Sequence, residues 1–158
     1  MKIAVTLAAA FLLSGCSVGA AATTTPVAAP AASPAAFHGR EPLQPSARPA
    51  FVLTDTSGAA YDFTAQTAGK PTLLYFGYTN CPDECPTAMA DIAGALRQVP
   101  ESLRSRTRVV FVTTDPDRDT APLIRRFLDQ FSVDFVGLRG TQAQVDAAAV
   151  ATGAAAAE

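Results

Sequence analysis

The chain has 158 residues, with 12 Lys and Arg against 14 Asp and Glu and a formal net charge of −2. That length suits one folded domain rather than two, and the absence of any clustered Lys/Arg face argues against nucleic acid as a partner. Three cysteines and a single histidine bound the metal and redox chemistry open to it.

The chain begins "MKIAVTLAAAFLLSGCS", with Lys2 ahead of an apolar run from Ile3 to Leu13. A run this short does not span a bilayer as a permanent anchor and reads as the apolar part of a secretory signal. Its ending, Leu13-Ser14-Gly15-Cys16, resembles the lipobox of bacterial lipoproteins, in which the cysteine is acylated and the signal is removed just before it. The resemblance implies a signal over residues 1–16 and a lipid on Cys16. It places the protein on the extracytoplasmic face of the bacterial cell membrane, held stably by a diacylated cysteine. The plainer alternative is a cleaved signal with an incidental cysteine. With Cys16 set aside, Cys81 and Cys85 remain as an even pair outside the cytoplasm, where a disulfide persists unless something reduces it.

Residues 17–49 are dominated by Ala, Thr, Ser and Pro and poor in bulky apolar residues. Such a composition predicts an extended or disordered tether giving reach between membrane and domain. The one histidine, His38, lies near its end. The domain is expected over residues 50–158. "FVLTDTSGAAYDF" predicts two short strands around a Ser57-Gly58 turn. In "KPTLLYFGYT" the continuous run Leu73-Leu74-Tyr75-Phe76 predicts a strand buried on both faces. Cys85, Met89, Ile92, Leu96 and Val99 then recur at helical spacing, with Pro86 in the first turn, where its missing N–H costs nothing. "RVVFVTTD" predicts a second buried strand. "DTAPLIRRFLDQF" predicts a helix with Leu123, Ile124, Phe127, Leu128 and Phe131 on one side, Arg125 and Arg126 on the other. A shorter strand in "VDFVGLRG" and a helix in "TQAQVDAAAVATG" follow. Strands alternating with helices define an α/β chain with parallel strands and crossover helices.

Cys81 and Cys85 fall in "CPDECP", between the end of the first buried strand and the start of a helix. Open α/β sheets bind ligands at the carboxyl ends of their strands. Cys85, at the helix start, meets the positive end of the helix dipole, which stabilises thiolate; Asp83 and Glu84 oppose that charge and favour a bound cation. Two thiols without a neighbouring histidine suit Cu(I), a soft ion of low coordination number, whereas a structural zinc site needs four ligands. A disulfide across so short a loop is the structural alternative and would stabilise little.

"GKPTLLYFGYTNCPDECPTAMADI" and "VVFVTTDPDRDTAPLIRRFLDQF" resemble the Sco/SenC proteins. The likeness runs from about Phe51 to Val150 and carries two motifs intact, F-G-Y-T-x-C-P-x-x-C-P and D-P-x-R-D-T. It implies a thioredoxin-like fold and a membrane-anchored copper chaperone for cytochrome c oxidase assembly, a carrier rather than an enzyme. Cys81 and Cys85 would be its copper ligands, for Cu(I) and secondarily Cu(II), and a copper-accepting oxidase subunit its partner. In the alternative role the same cysteines form a redox pair, a thiol:disulfide reductase that keeps the accepting subunit's cysteines reduced. The family completes its copper site with a histidine from a later loop and its fold with a last hairpin and helix. This sequence ends at "VATGAAAAE" with no histidine after His38. Set against the resemblance, this is either a truncated copy or one that has lost the third ligand, with an incomplete fold and a two-thiolate site that His38 completes only if the tether folds back. In the second motif, Asp115 is the candidate acid at the site's edge, by strand pairing, while Asp119 or Thr120 is expected to cap the helix that Pro122 opens.

Overall fold

The alternating residues on either side of Ser57-Gly58 form the expected hairpin of β1 (Val52–Asp55) and β2 (Ala60–Asp62), antiparallel, with Val52 opposite Asp62 and Thr54 opposite Ala60. The Asp55 carboxylate closes the turn, accepting from Ser57 N at 2.8 Å, Ser57 Oγ at 2.6 Å and Ala59 N at 3.0 Å. Gly58 takes the positive φ of 91° that such a reversal requires. The structure, a computed structural model, describes residues 47–154. Residues 1–46 and 155–158 lie outside it, and with them the expected signal, Cys16, His38 and most of the tether. Arg48 and Pro49, assigned to the tether by composition, bond to α1 (Phe63–Thr67): Arg48 Nη1 donates to Thr67 Oγ1 at 2.8 Å and Thr64 Oγ1 to the Pro49 carbonyl at 3.1 Å.

Three strands follow, β3 (Thr72–Gly77), β4 (Arg108–Thr113) and β5 (Val136–Arg139), and they run parallel to one another. The sheet order is β2-β1-β5-β4-β3, with β1 antiparallel to β5. The crossovers are α2 (Glu84–Gln98) with the short α3 (Glu101–Arg104), then α4 (Ala121–Leu128); α5 (Gln142–Thr152) follows β5. Among the described residues no helix is long and apolar enough to cross a membrane.

The sheet separates two apolar layers, and β4 supplies both because its side chains alternate. Val109 and Phe111 pack with Met89, Ala93, Ile124, Phe127 and Leu128, the layer of α2 and α4. Val110 and Val112 pack with Leu53, Phe63, Leu138, Val145 and Ala148, the layer of α1 and α5. On α2 the contact stripe holds Met89 and Ala93 fully, with Ile92 and Leu96 half-buried against it; Val99 lies just past the helix. Phe131, assigned to α4 by its spacing, follows the helix end and still packs on Phe127, ring centroids 5.3 Å apart.

One strand departs from expectation. The run Leu73-Leu74-Tyr75-Phe76 predicts burial on both faces, yet among the described residues β3 is an edge strand and Leu73 is 42% exposed. An apolar run records that residues are apolar on both faces, not how many strands flank them. β4 is the centrally buried strand, with Val110, Phe111 and Val112 fully inaccessible.

Candidate functional site

β3 ends at Gly77, and residues 78–83 turn the chain into α2. The Cys81 N–H donates to the Tyr78 carbonyl at 3.3 Å, closing a turn over residues 78–81. Cys85 occupies the second position of α2, and its N–H donates to Cys81 Sγ at 3.3 Å. The two cysteines expected from the sequence are thus brought together, neither disulfide-bonded.

Their environments differ. Cys85 is 4% exposed and belongs to the α2–α4 core layer, whereas Cys81 is half-buried at the surface. Gly77 makes the room: a Cβ there would lie 2.6 Å from the Tyr75 ring and 2.9 Å from Cys85 Sγ. Burial pushes the Cys85 thiol up, reinforced by the neighbouring Cys81. The Cys81 thiol is held down, first by the Cys85 thiol donating to its sulfur and then by the Cys85 N–H. This reverses the expected assignment of the helix dipole. Cys85 is first in line along the sequence, but its side chain turns into the core, and it is the Cys81 sulfur that receives a free N–H of the helix start. Tyr75 and Tyr78 stand beside the pair. The Tyr75 hydroxyl is pushed up by burial and then by Cys85, that of Tyr78 by the charge of Cys81.

The sulfurs open on a cleft of about 250 Å³ lined by Tyr75, Tyr78, Glu84, Thr114 and, from α5, Gln142 and Asp146. Asp115 is not among its lining residues: its carboxylate pairs with Arg118 Nε at 3.1 Å, one residue beyond Thr114. The acids at the cleft are Glu84 and Asp146, the latter accepting from Gln142 Nε2 at 2.8 Å. Sequence reading missed the α5 side of the site. The Gln142, Val145, Asp146, Ala149 spacing marks one helix face, but nothing local says that it meets the cysteine loop. Among the described residues no group of three or more His, Cys, Asp or Glu is placed to hold a metal ion.

Of the two residues expected to cap α4, the cap position falls to Thr120, without a side-chain bond, and Pro122 lies in the first turn. Asp119 does not cap the helix. Its buried carboxylate accepts from Thr79 N at 2.9 Å, Thr79 Oγ1 at 2.5 Å and Thr113 Oγ1 at 2.6 Å.

A mixed sheet with helices on both faces and a Cys-x-x-x-Cys pair at a strand-to-helix turn defines a thioredoxin-like protein with a dithiol site. The SCO1/SenC family model matches residues 40–157, and the chain belongs to that family. Protein SenC of Rhodobacter capsulatus is 38% identical over 100 residues, 63% of this chain and 44% of that protein. Apo Sco1 of Thermus thermophilus superposes with a TM-score of 0.67 at 34% identity, covering 75% of this chain and 67% of the other. ScoI of Bradyrhizobium japonicum, a structure with copper bound, gives a TM-score of 0.59 at 35% identity over 65% of this chain and 64% of the other. The chain spans about half the length, or less, of the curated relatives it matches.

Proposed function

We propose that Cys81 and Cys85 hold Cu(I) as cargo and deliver it during cytochrome c oxidase assembly, to a copper-accepting subunit, from a position anchored at the membrane through Cys16. Residues 1–16 carry in this reading the signal with its lipobox cysteine, and the stretch from residue 17 up to Arg48, which is bonded to α1, is the tether. The observation that carries the proposal is the meeting of two sulfurs at the carboxyl end of a strand, the Cys85 N–H 3.3 Å from Cys81 Sγ, above an open cleft. Two soft thiolate donors fit Cu(I), which tolerates low coordination. The half-buried Cys81, at the surface, would exchange the ion with a partner while the buried Cys85 retains it. Kinship with copper-bound proteins such as the Bradyrhizobium ScoI supports the choice of metal.

A second reading rests on the same asymmetry. A half-buried Cys81 held toward thiolate and a buried Cys85 held toward thiol are the attacking and resolving members of a thiol:disulfide reductase. Cys81 Sγ would attack a partner disulfide and release one partner thiolate. Cys85 would then displace the second, leaving an intramolecular disulfide and a reduced partner.

Anaerobic titration of the reduced chain with Cu(I) against a competing chelator separates the two. One equivalent bound, and lost in both Cys81→Ser and Cys85→Ser, supports the carrier. No binding by the wild type, with reduction of a model disulfide retained, overturns it in favour of the reductase.

A further inference from the structure

We propose that Asp119 is a positioning residue for the thiol pair: its carboxylate clasps Thr79 to Thr113 and so holds the turn that carries Cys81 against the start of α2. The inference rests on Cys81 and Cys85 being the working thiols.

Asp119 is inaccessible to solvent, and a carboxylate is costly to bury unless its oxygens are fully engaged. Here they are. Oδ1 receives the Thr79 hydroxyl, and Oδ2 receives both the Thr79 N–H and the Thr113 hydroxyl. Thr113, itself buried at the end of β4, is fixed further by accepting from Asp115 N at 3.1 Å. The main chain of Asp119 is held on both sides. Its N–H donates to the Asp115 carbonyl at 2.9 Å, and its carbonyl accepts from Arg139 Nε at 3.2 Å. Arg139 also donates to the Pro116 carbonyl at 3.0 Å, so the end of β5 braces the loop that bears the acid. A cap for α4 would not need a buried charge; Ser or Asn at the surface serves that purpose. The geometry instead aims the charge away from α4 and at the cysteine loop.

Thr79 is the second residue of the turn closed by the single 3.3 Å bond from Cys81 N to Tyr78 O. That bond is long, and the double grip on Thr79 from a rigid partner is what fixes the turn relative to β4. Groups that orient the ligands of a metal or redox centre, without touching the centre itself, are commonly worth ten- to a hundredfold in its affinity.

The test compares wild type, Asp119→Asn, Thr79→Val and Thr79→Ser in the full chain. Three quantities are measured: Cu(I) affinity by chelator competition, the equilibrium dithiol + GSSG ⇌ disulfide + 2 GSH, and the melting temperature. Asp119→Asn and Thr79→Val are expected to weaken Cu(I) binding about tenfold and to move the glutathione equilibrium about tenfold toward the dithiol, because the loosened sulfurs meet less often. Thr79→Ser, which keeps the hydroxyl, restores both constants. Constants within about twofold of wild type in Thr79→Val overturn the proposal, whatever happens to the melting temperature. Should Asp119→Asn fail to fold, Thr79→Val decides alone, since it removes one hydroxyl from a partly exposed residue. A wild type that binds no Cu(I) sinks the copper reading, while the glutathione equilibrium still decides the clasp.

Discussion

At the level of single residues, the two cysteines owe their difference to where each side chain points rather than to sequence position. Cys85 faces Gly77 and the core, so thiolate formation there meets the cost of desolvation; Cys81 faces outward and collects donors from Cys85. Replacing Cys85 by Ala removes the foremost of those donors, and the Cys81 thiol is expected to titrate higher as a result. The pH profile of iodoacetamide alkylation, with the product on Cys81 located by peptide mapping, reads this directly. A midpoint unchanged by Cys85→Ala would mean that other donors hold the thiolate. The sign carries into stability. Cys81, lowered in the folded state, contributes stability above its unfolded value near pH 8.5, which is lost as pH falls through its folded value. Cys85, raised, acts in the opposite sense and subtracts stability as pH climbs above that same unfolded value.

Among the elements, the contact of α4 with β5 is the tightest joint near the site. A Cβ on Gly137 would fall 2.4 Å from Ile124 Cγ2 and 3.0 Å from Leu128 Cδ1, so the helix rests directly on the strand's backbone. Gly137→Ala is expected to destabilise the fold by about 1–3 kcal/mol through overpacking, visible as a lowered urea midpoint. A midpoint equal to wild type would show that α4 shifts freely. Helix α5 was legible as a helix, and its limits are now explained: a capping box of Thr141 and Gln144 starts it and Gly153, at φ 71°, ends it. Its role as one wall of the cysteine cleft was not legible. That depends on β5 lying between β1 and β4, a pairing made by residues distant in sequence.

For the whole molecule, the sheet order places protection at its centre. β4 pairs with β3 on one side and β5 on the other, whereas among the described residues β3 is paired on one side alone. Amides of β4 are therefore expected to exchange with deuterium more slowly than the unpaired amides of β3, by about tenfold or more under native conditions. Equal protection of both strands would mean that the free side of β3 is covered in solution. The same order explains the misread strand. β3 and β4 are both apolar runs, and only the tertiary arrangement makes one central and the other peripheral.

The sequence by itself determined the hairpin, the α/β alternation, the family motifs and the two thiols, because each is written in residues close together along the chain. Turn chemistry, helical spacing and a five-residue cysteine motif are local signals. What only the tertiary structure decided is which cysteine is buried, which acids line the cleft, and that Asp119 serves the cysteine loop rather than a helix cap. Thr79 and Asp119 lie 40 residues apart, and the parallel pairing of β3 with β4 is what brings their ends to one edge. A buried carboxylate is recognisable only once its donors are in place, and those donors come from separate elements.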